Sequence, residues 1–261
     1  MTIPRDIARQ IPKSNLILQI DRSPGARFTN ALMNVGTLLP NVAPVRPVAL
    51  WRLGLDALDY SDNGLHGSVI SGVIMGLDFG VKDGLPSSKF DGNQAHINLP
   101  VTTLSPVFPR NEGSIGIYAK IDPSARTDGV QHYCFRVGVD GNNYVSIWKS
   151  TADNAITVDY RAGGTVIQRQ VGNIIDDGWM FFVMTYSKQN DRVKIYKNSV
   201  QIGLPTLTGL GTFSTAPLAQ SVTAISGIVA NDQFWKGWLA FCVIWPVELL
   251  QSQLDYLKQY L

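Results

Sequence analysis

From Ala49 onward, short runs of β-branched and aromatic residues alternate with Gly, Asn, Asp and Pro. Runs of this length between turn residues predict strands near 49–54, 68–74, 88–91, 95–98, 113–121, 131–139, 143–149, 155–161, 164–170, 179–187, 192–197, 200–203, 222–228 and 235–245. So many short strands with turns between them indicate an antiparallel sandwich. The end of the chain changes period: Leu250, Leu254, Leu257 and Leu261 fall on one face of a helix.

The stretch DGWMFFVMTYSKQNDRVKIYKNSVQIG, residues 177–203, reads as two hairpins. Strand side chains alternate, so Trp179, Phe181 and Val183 point one way and Met180, Phe182, Met184 and Tyr186 the other. Both faces are apolar. One is expected to meet the opposing sheet, and the other to be covered by a loop, by the N-terminal segment or by a partner. RVKIYK alternates charge and apolarity as a half-exposed strand does, and NS turns the chain into VQIG.

Residues 1–47 form a different region. Prolines at 4, 12, 24, 40, 44 and 47 remove backbone donors and fix φ, which opposes long helices and favours an extended path. The region is nevertheless apolar, and Ile3, Ile7, Ile11, Leu16, Leu18, Ile20 and Phe28 are expected to dock on a surface, either this chain's own domain or a neighbouring subunit. The expected organisation is an extended arm, 1–47, followed by one β domain, 48–261.

Composition narrows the function. A net charge of +2, from 22 basic and 20 acidic residues scattered along the chain, argues against a dedicated nucleic-acid binder. No run approaches the ~20 apolar residues of a membrane span, and the first residues lack the pattern of a signal peptide. Cys134 and Cys242 lie in the apolar runs HYCFRVGV and LAFCVIW and read as buried free thiols.

Five segments in order carry a family resemblance. LWRLGLDALDYSDNGLHG resembles the first strand and Asp-rich loop of laminin-G-like or concanavalin-A-like jelly rolls. SSKFDGNQAHINLP is similar to their Phe-Asp-Gly segment, and GSIGIYAKID to the strand after it. The 177–203 stretch and FWKGWLAFCVIWPVELLQSQLDYL are similar to the Trp-led hairpin and to the Gly-led last strand with its short helix. The resemblance spans about 49–261 and implies an all-β, antiparallel two-sheet jelly-roll sandwich of concanavalin-A-like type, with an extended N-terminal arm and a short C-terminal helix. Two departures stand out: Ser199 replaces the turn glycine, and Ala240 and Phe241 stand where many relatives carry an acidic pair that helps hold calcium.

The candidate chemistry is sparse. Asp59, Ser61, Asp62, Asn63 and His66 form an oxygen-rich loop, but calcium takes six to eight oxygens, so an Asx-rich turn is favoured over a structural calcium site and no cofactor is expected. Glycosidases need paired carboxylates. The chain has two glutamates, Glu112 and Glu248, far apart in sequence, and a non-enzyme is expected. His66, His96 and His132 show no zinc spacing. Trp148, Tyr160, Trp235 and Trp238 are the candidates for stacking on a sugar ring, with core packing as the competing role.

Two functions are compatible with these features. The first is a non-enzymatic virion structural protein, made in a host cytoplasm. It would display its jelly roll on a phage or viral particle, as capsid decoration or near the tail. The arm would anchor it to other subunits, and the protein would be a homo-oligomer. The alternative is a carbohydrate-binding, lectin-like adhesin module for surface glycans.

Overall fold

The computed structural model describes residue 33 and residues 45–70, 72–76, 86–152, 154–228 and 233–259. The expected arm-docking residues Ile3, Ile7, Ile11, Leu16, Leu18, Ile20 and Phe28 lie outside the described residues.

The strands are β1 Ala49–Trp51, β2 Ser68–Ile70, β3 Ile74–Met75, β4 Ser88–Asp91, β5 His96–Asn98, β6 Glu112–Ile121, β7 His132–Asp140, β8 Asn143–Lys149 and β9 Ile156–Ala162. They continue with β10 Thr165–Val171, β11 Met180–Ser187, β12 Arg192–Lys197, β13 Val200–Leu207, β14 Ala224–Ile225, β15 Gly227–Ile228, β16 Gln233–Phe234 and β17 Lys236–Trp245. Two α-helices are described, α1 Val101–Leu104 and α2 Gln251–Lys258, with short 3-10 turns at Pro123–Ala125 and Gln220–Val222. Among the described residues one sheet has eight strands, in the order β13-β12-β11-β6-β17-β4-β3 with β1 also beside β17. The other has nine, ordered β10-β9-β8-β7-β14-β5-β2, with β15 and β16 joined to β7. Pairing is antiparallel apart from the parallel Phe234–Tyr133 pair. The chain is therefore an all-β, two-sheet antiparallel jelly-roll sandwich with a short C-terminal helix.

The strand predictions hold for most of the chain, and the departures have local causes. The run expected at 222–228 divides into β14 and β15 because Ser226 takes φ 69° between them. The run expected at 200–203 continues to Leu207.

The two apolar faces of β11 find different partners. Met180, Phe182, Met184 and Tyr186 join the main core between the sheets, with Phe135, Ile147, Val158 and Tyr160 from the nine-stranded sheet. Phe181 and Val183 face away, into a second apolar layer with Tyr118, Phe241, Val243 and Trp245. That layer is capped by Leu254, Tyr256 and Leu257 of α2, with Met33 and Val45 packed against it. Leu250 departs from the helical expectation: it is 51% exposed, because it precedes α2 in an extended conformation and is out of phase with the helix, while Leu249 is buried instead. Leu261 lies outside the described residues.

The hairpin turn after β12 locks α2 in place. Asn198 and Ser199 have φ 49° and 67°, the pair of positive values that a two-residue hairpin of this hand requires. Ser199, a poor substitute for glycine on backbone grounds, donates from Oγ to the Leu254 carbonyl at 2.6 Å, and Gln251 Nε2 donates back to the Ser199 carbonyl at 2.8 Å.

Candidate functional site

The site builds up from one irregularity. Simple alternation along β7 would put Tyr133 on the same side as Phe135 and Val137, inside the sandwich. A bulge intervenes: Tyr133 pairs with Trp148 while Phe135 pairs with the very next residue of β8, Ile147. Cys134 takes the extra position and is buried in the core, so Tyr133 joins Arg136 on the outer face of the nine-stranded sheet. Bulges commonly re-aim a side chain in this way.

Three rows then cross that face. Gln168, Asp159, Ser146 and Arg136 are in register across β10, β9, β8 and β7. On one side run Gln170, Thr157, Trp148 and Tyr133, and on the other Val166, Arg161, Tyr144 and Gly138. Gly138 has a steric reason: a Cβ there would lie 2.6 Å from the Tyr144 Cβ, so glycine makes room for the ring.

The side chains in these rows interlock. Tyr133 and Trp148 stack nearly parallel, with centroids 5.2 Å apart and planes 12° from parallel. Asp159 holds the centre, accepting from Trp148 Nε1 at 2.8 Å, Ser146 Oγ at 3.1 Å and Gln168 Nε2 at 2.6 Å. Burial pushes the Asp159 carboxyl above its usual range, against the opposing pull of Gln168, Trp148 and Ser146. The Arg136 guanidinium lies 3.7 Å from the Tyr144 ring centroid, and that of Arg161 lies 5.7 Å from the same ring. Burial lowers the Arg136 pKa and raises that of Tyr144.

The cluster is shielded: Tyr133 and Trp148 are each 6% exposed and Arg136 7%. Val166, Gln168 and Gln170 on edge strand β10 are exposed and form a rim. Three buried polar atoms on this face, Arg136 Nε, Thr157 Oγ1 and Arg161 Nε, have no hydrogen-bond partner. Buried polar atoms are normally satisfied, so this grouping indicates capacity for a polar ligand.

The edge of the cluster is anchored by a buried cation. Lys149, wholly buried, donates from Nζ to Asp128 Oδ1 at 2.9 Å and to the Val130 carbonyl at 3.1 Å. Asp128 Oδ2 lies 2.8 Å from His132 Nε2, and His132 Nδ1 lies 2.7 Å from the Phe234 carbonyl. Burial opposes ionisation of Asp128, but the hydrogen bonds from His132, Lys149 and the Val130 N–H outweigh it and hold its pKa at about 2.

The sequence candidates separate. Trp148 belongs to the cluster. Tyr160 and Trp235 are wholly enclosed in the core and present no face to a ligand; the Tyr160 hydroxyl donates to the Arg110 carbonyl at 3.0 Å, and burial pushes its pKa up to about 12. Trp238 is partly exposed on the other sheet, with Lys89 and Lys120 Nζ each 5.2 Å from its ring centroid. The four are therefore not one site. Sequence reading missed Tyr133, Arg136, Tyr144, Asp159 and Arg161; the available signal was polar residues at alternate positions inside otherwise apolar runs, as in ITVDYRA.

The remaining chemistry is structural. Asp59 Oδ1 accepts from the Leu50 and Ser61 N–H groups at 2.9 Å each, and Oδ2 from Ser61 Oγ at 2.7 Å and the Leu65 N–H at 2.8 Å. Asp62 pairs with Arg46. The loop is thus an Asx network that ties β1 to the residues leading into β2. Among the described residues no group of three or more His, Cys, Asp or Glu is placed to hold a metal. Glu112 and Glu248, far apart in sequence, meet in space: Glu112 Oε1 accepts from the Glu248 N–H at 3.2 Å. Glu248 is committed to Arg192 Nε at 2.6 Å and Asn190 Nδ2 at 3.0 Å, which ties the approach to α2 to β12. A cleft of about 470 Å³ beside Ser105 and Arg110 is crossed by the Arg110 guanidinium, which donates to Ser105 and to the Ser214 carbonyl.

Comparison with known proteins defines the class of fold. No protein-family model matches the sequence, and no curated protein matches it. Solved structures do match. The receptor-binding domain of the botulinum neurotoxin C/D mosaic serotype aligns with 82% of this chain at TM-score 0.63 and 14% identity. Domain 4 of AbnA, a GH43 extracellular arabinanase from Geobacillus stearothermophilus solved with arabinotriose, aligns with 82% of this chain and 99% of its own at TM-score 0.56 and 19% identity. The Ruminococcus gnavus IT-sialidase CBM40, bound to α2,3 sialyllactose, covers 64% of this chain and 92% of its own at TM-score 0.50 and 13% identity. The chain spans about half the length of the botulinum domains it matches, 51% in the case quoted. The chain thus shares the jelly-roll β-sandwich fold of these domains. Among the described residues no helix is long and apolar enough to cross a membrane.

Proposed function

We propose that this chain is a non-catalytic carbohydrate-binding module whose ligand site is the outer face of the nine-stranded sheet. The observation that carries the reading is the Tyr133–Trp148 stack beside a buried carboxylate, on a face where three buried polar atoms lack partners. Sugars present apolar ring faces and hydroxyl edges, and an amphipathic ring next to fixed polar groups suits both. Two of the solved neighbours carry an oligosaccharide, which supports this reading over incorporation into a virion; the neighbours lend the virion role nothing.

The test is titration calorimetry across a glycan panel with the full chain. At least one glycan should bind saturably, and Trp148→Ala should weaken it at least tenfold while preserving the fold by circular dichroism. No binding across the panel, or binding untouched by Trp148→Ala, would refute the assignment.

A further inference from the structure

Arg136 is 7% exposed, and its Nε has no hydrogen-bond partner. Arg161, one strand beyond Tyr144, likewise has a buried and unpartnered Nε. Both guanidiniums lie near the Tyr144 ring, at 3.7 and 5.7 Å from its centroid. Among the described residues neither makes a salt bridge; Arg161 Nη1 donates to the Gly141 carbonyl at 2.6 Å. Asp159, the carboxyl in the same cluster, is already taken up by Trp148, Ser146 and Gln168. Two cations therefore share a shielded patch with a single acid that is engaged elsewhere.

Burying a charge is costly unless it is paired, and a cation–π contact offsets only part of that cost. A guanidinium is also the side chain whose geometry matches a carboxylate in bidentate fashion. Resting on the glycan-binding reading above, we propose that the ligand is a carboxylated sugar, a uronic or sialic acid residue. Its carboxylate is held by Arg136 and Arg161 beside Tyr144, and its ring lies toward the Tyr133–Trp148 stack. The rows fix this polarity, because Arg161 and Tyr144 lie across the Asp159–Ser146–Arg136 row from the stack, and Arg136 leans from that central row over the Tyr144 ring.

The experiment compares an acid with its own ester on the unmodified chain. Trigalacturonic acid and 3′-sialyllactose, each beside its methyl ester and with lactose as a neutral control, are titrated calorimetrically at two salt concentrations. The expected result is at least tenfold tighter binding of one acid than of its ester, an advantage that shrinks with salt and is lost in Arg136→Gln and Arg161→Gln. Arg161 is less buried than Arg136, so its variant keeps the test alive if Arg136→Gln fails to fold. Equal binding of acid and ester, preference for neutral sugars, or an acid preference unchanged in Arg161→Gln overturns the carboxylate assignment and leaves the module reading standing. Absence of binding by every probe, neutral ones included, overturns both.

Discussion

Replacing Asp128 by Ala should destabilise the protein by about 3–5 kcal/mol, because it strands the Lys149 ammonium. Lys149 is wholly buried, and its described acceptors are Asp128 Oδ1 and the Val130 carbonyl. Without the carboxylate a charge remains where water does not reach, and the Val130 N–H loses its partner as well. Against a typical total stability of about 5–15 kcal/mol, such a loss is large. Lys149→Met alone should cost much less, since the Asp128 side chain is 22% exposed and retains His132. The double variant should recover most of what Asp128→Ala loses.

The same pair gives a pH signature. The folded protein holds the Asp128 pKa at about 2, below the 3.8 of an unperturbed aspartate, so the unfolded chain takes up the proton first as pH falls. Its contribution is complete above about pH 5 and disappears as pH approaches 2. The shift corresponds to about 2 kcal/mol, and allowing for solvent screening of a partly exposed group leaves about 1. Urea unfolding at pH 7 and along a pH series measures both effects. A loss under about 1 kcal/mol in Asp128→Ala, or a double variant no more stable than that single one, would refute the buried-cation argument. Because Lys149 adjoins Trp148 and His132 precedes Tyr133, Asp128→Ala should also loosen the stack and weaken glycan binding.

Substitutions at three further positions probe the rest of the design. Leu254→Ala on α2 should cost about 2–5 kcal/mol in urea unfolding, as for other buried leucines; a cost near zero would mean that α2 does not seal the second layer. Ser199→Gly, which relieves a positive φ but loses a hydrogen bond, should stay within about 1 kcal/mol of the parent, whereas Ser199→Ala keeps the strain and should fall about 1–2 kcal/mol below it. Gly138→Ala drives a Cβ against Tyr144 and the Asn143 carbonyl. It should cost about 1–3 kcal/mol and lower glycan affinity, read by thermal melting and calorimetry; unchanged binding would separate Tyr144 from the site.

Much of the fold was legible because the turn residues are explicit. Gly, Asn and Asp mark many of the strand ends, and the period changes where α2 begins. The site was legible only in part. Trp148 stood out as a large aromatic, but Tyr160 and Trp235 carry the same composition signal from inside the core. The Cys134 bulge is invisible to alternation, which assigns Tyr133 to the interior; the extra residue is set by pairing with β8, a non-local contact. Leu250 failed for a related reason, since helical phase was extended one residue past a start set by Gln253 Oε1 accepting from the Leu250 N–H.

The sealing of β11's second face has a consequence for synthesis. α2 comes after every described strand in chain order, so a chain released early, before residue 251, carries every described strand without it. Such a chain can pair both sheets while Phe181, Val183, Phe241 and Trp245 lack the helix that covers them. An apolar sheet face without its cover is prone to associate with its like. Release of chains at residue 250 should therefore lower the yield of soluble protein, and the aggregated fraction should be enriched in chains that lack α2.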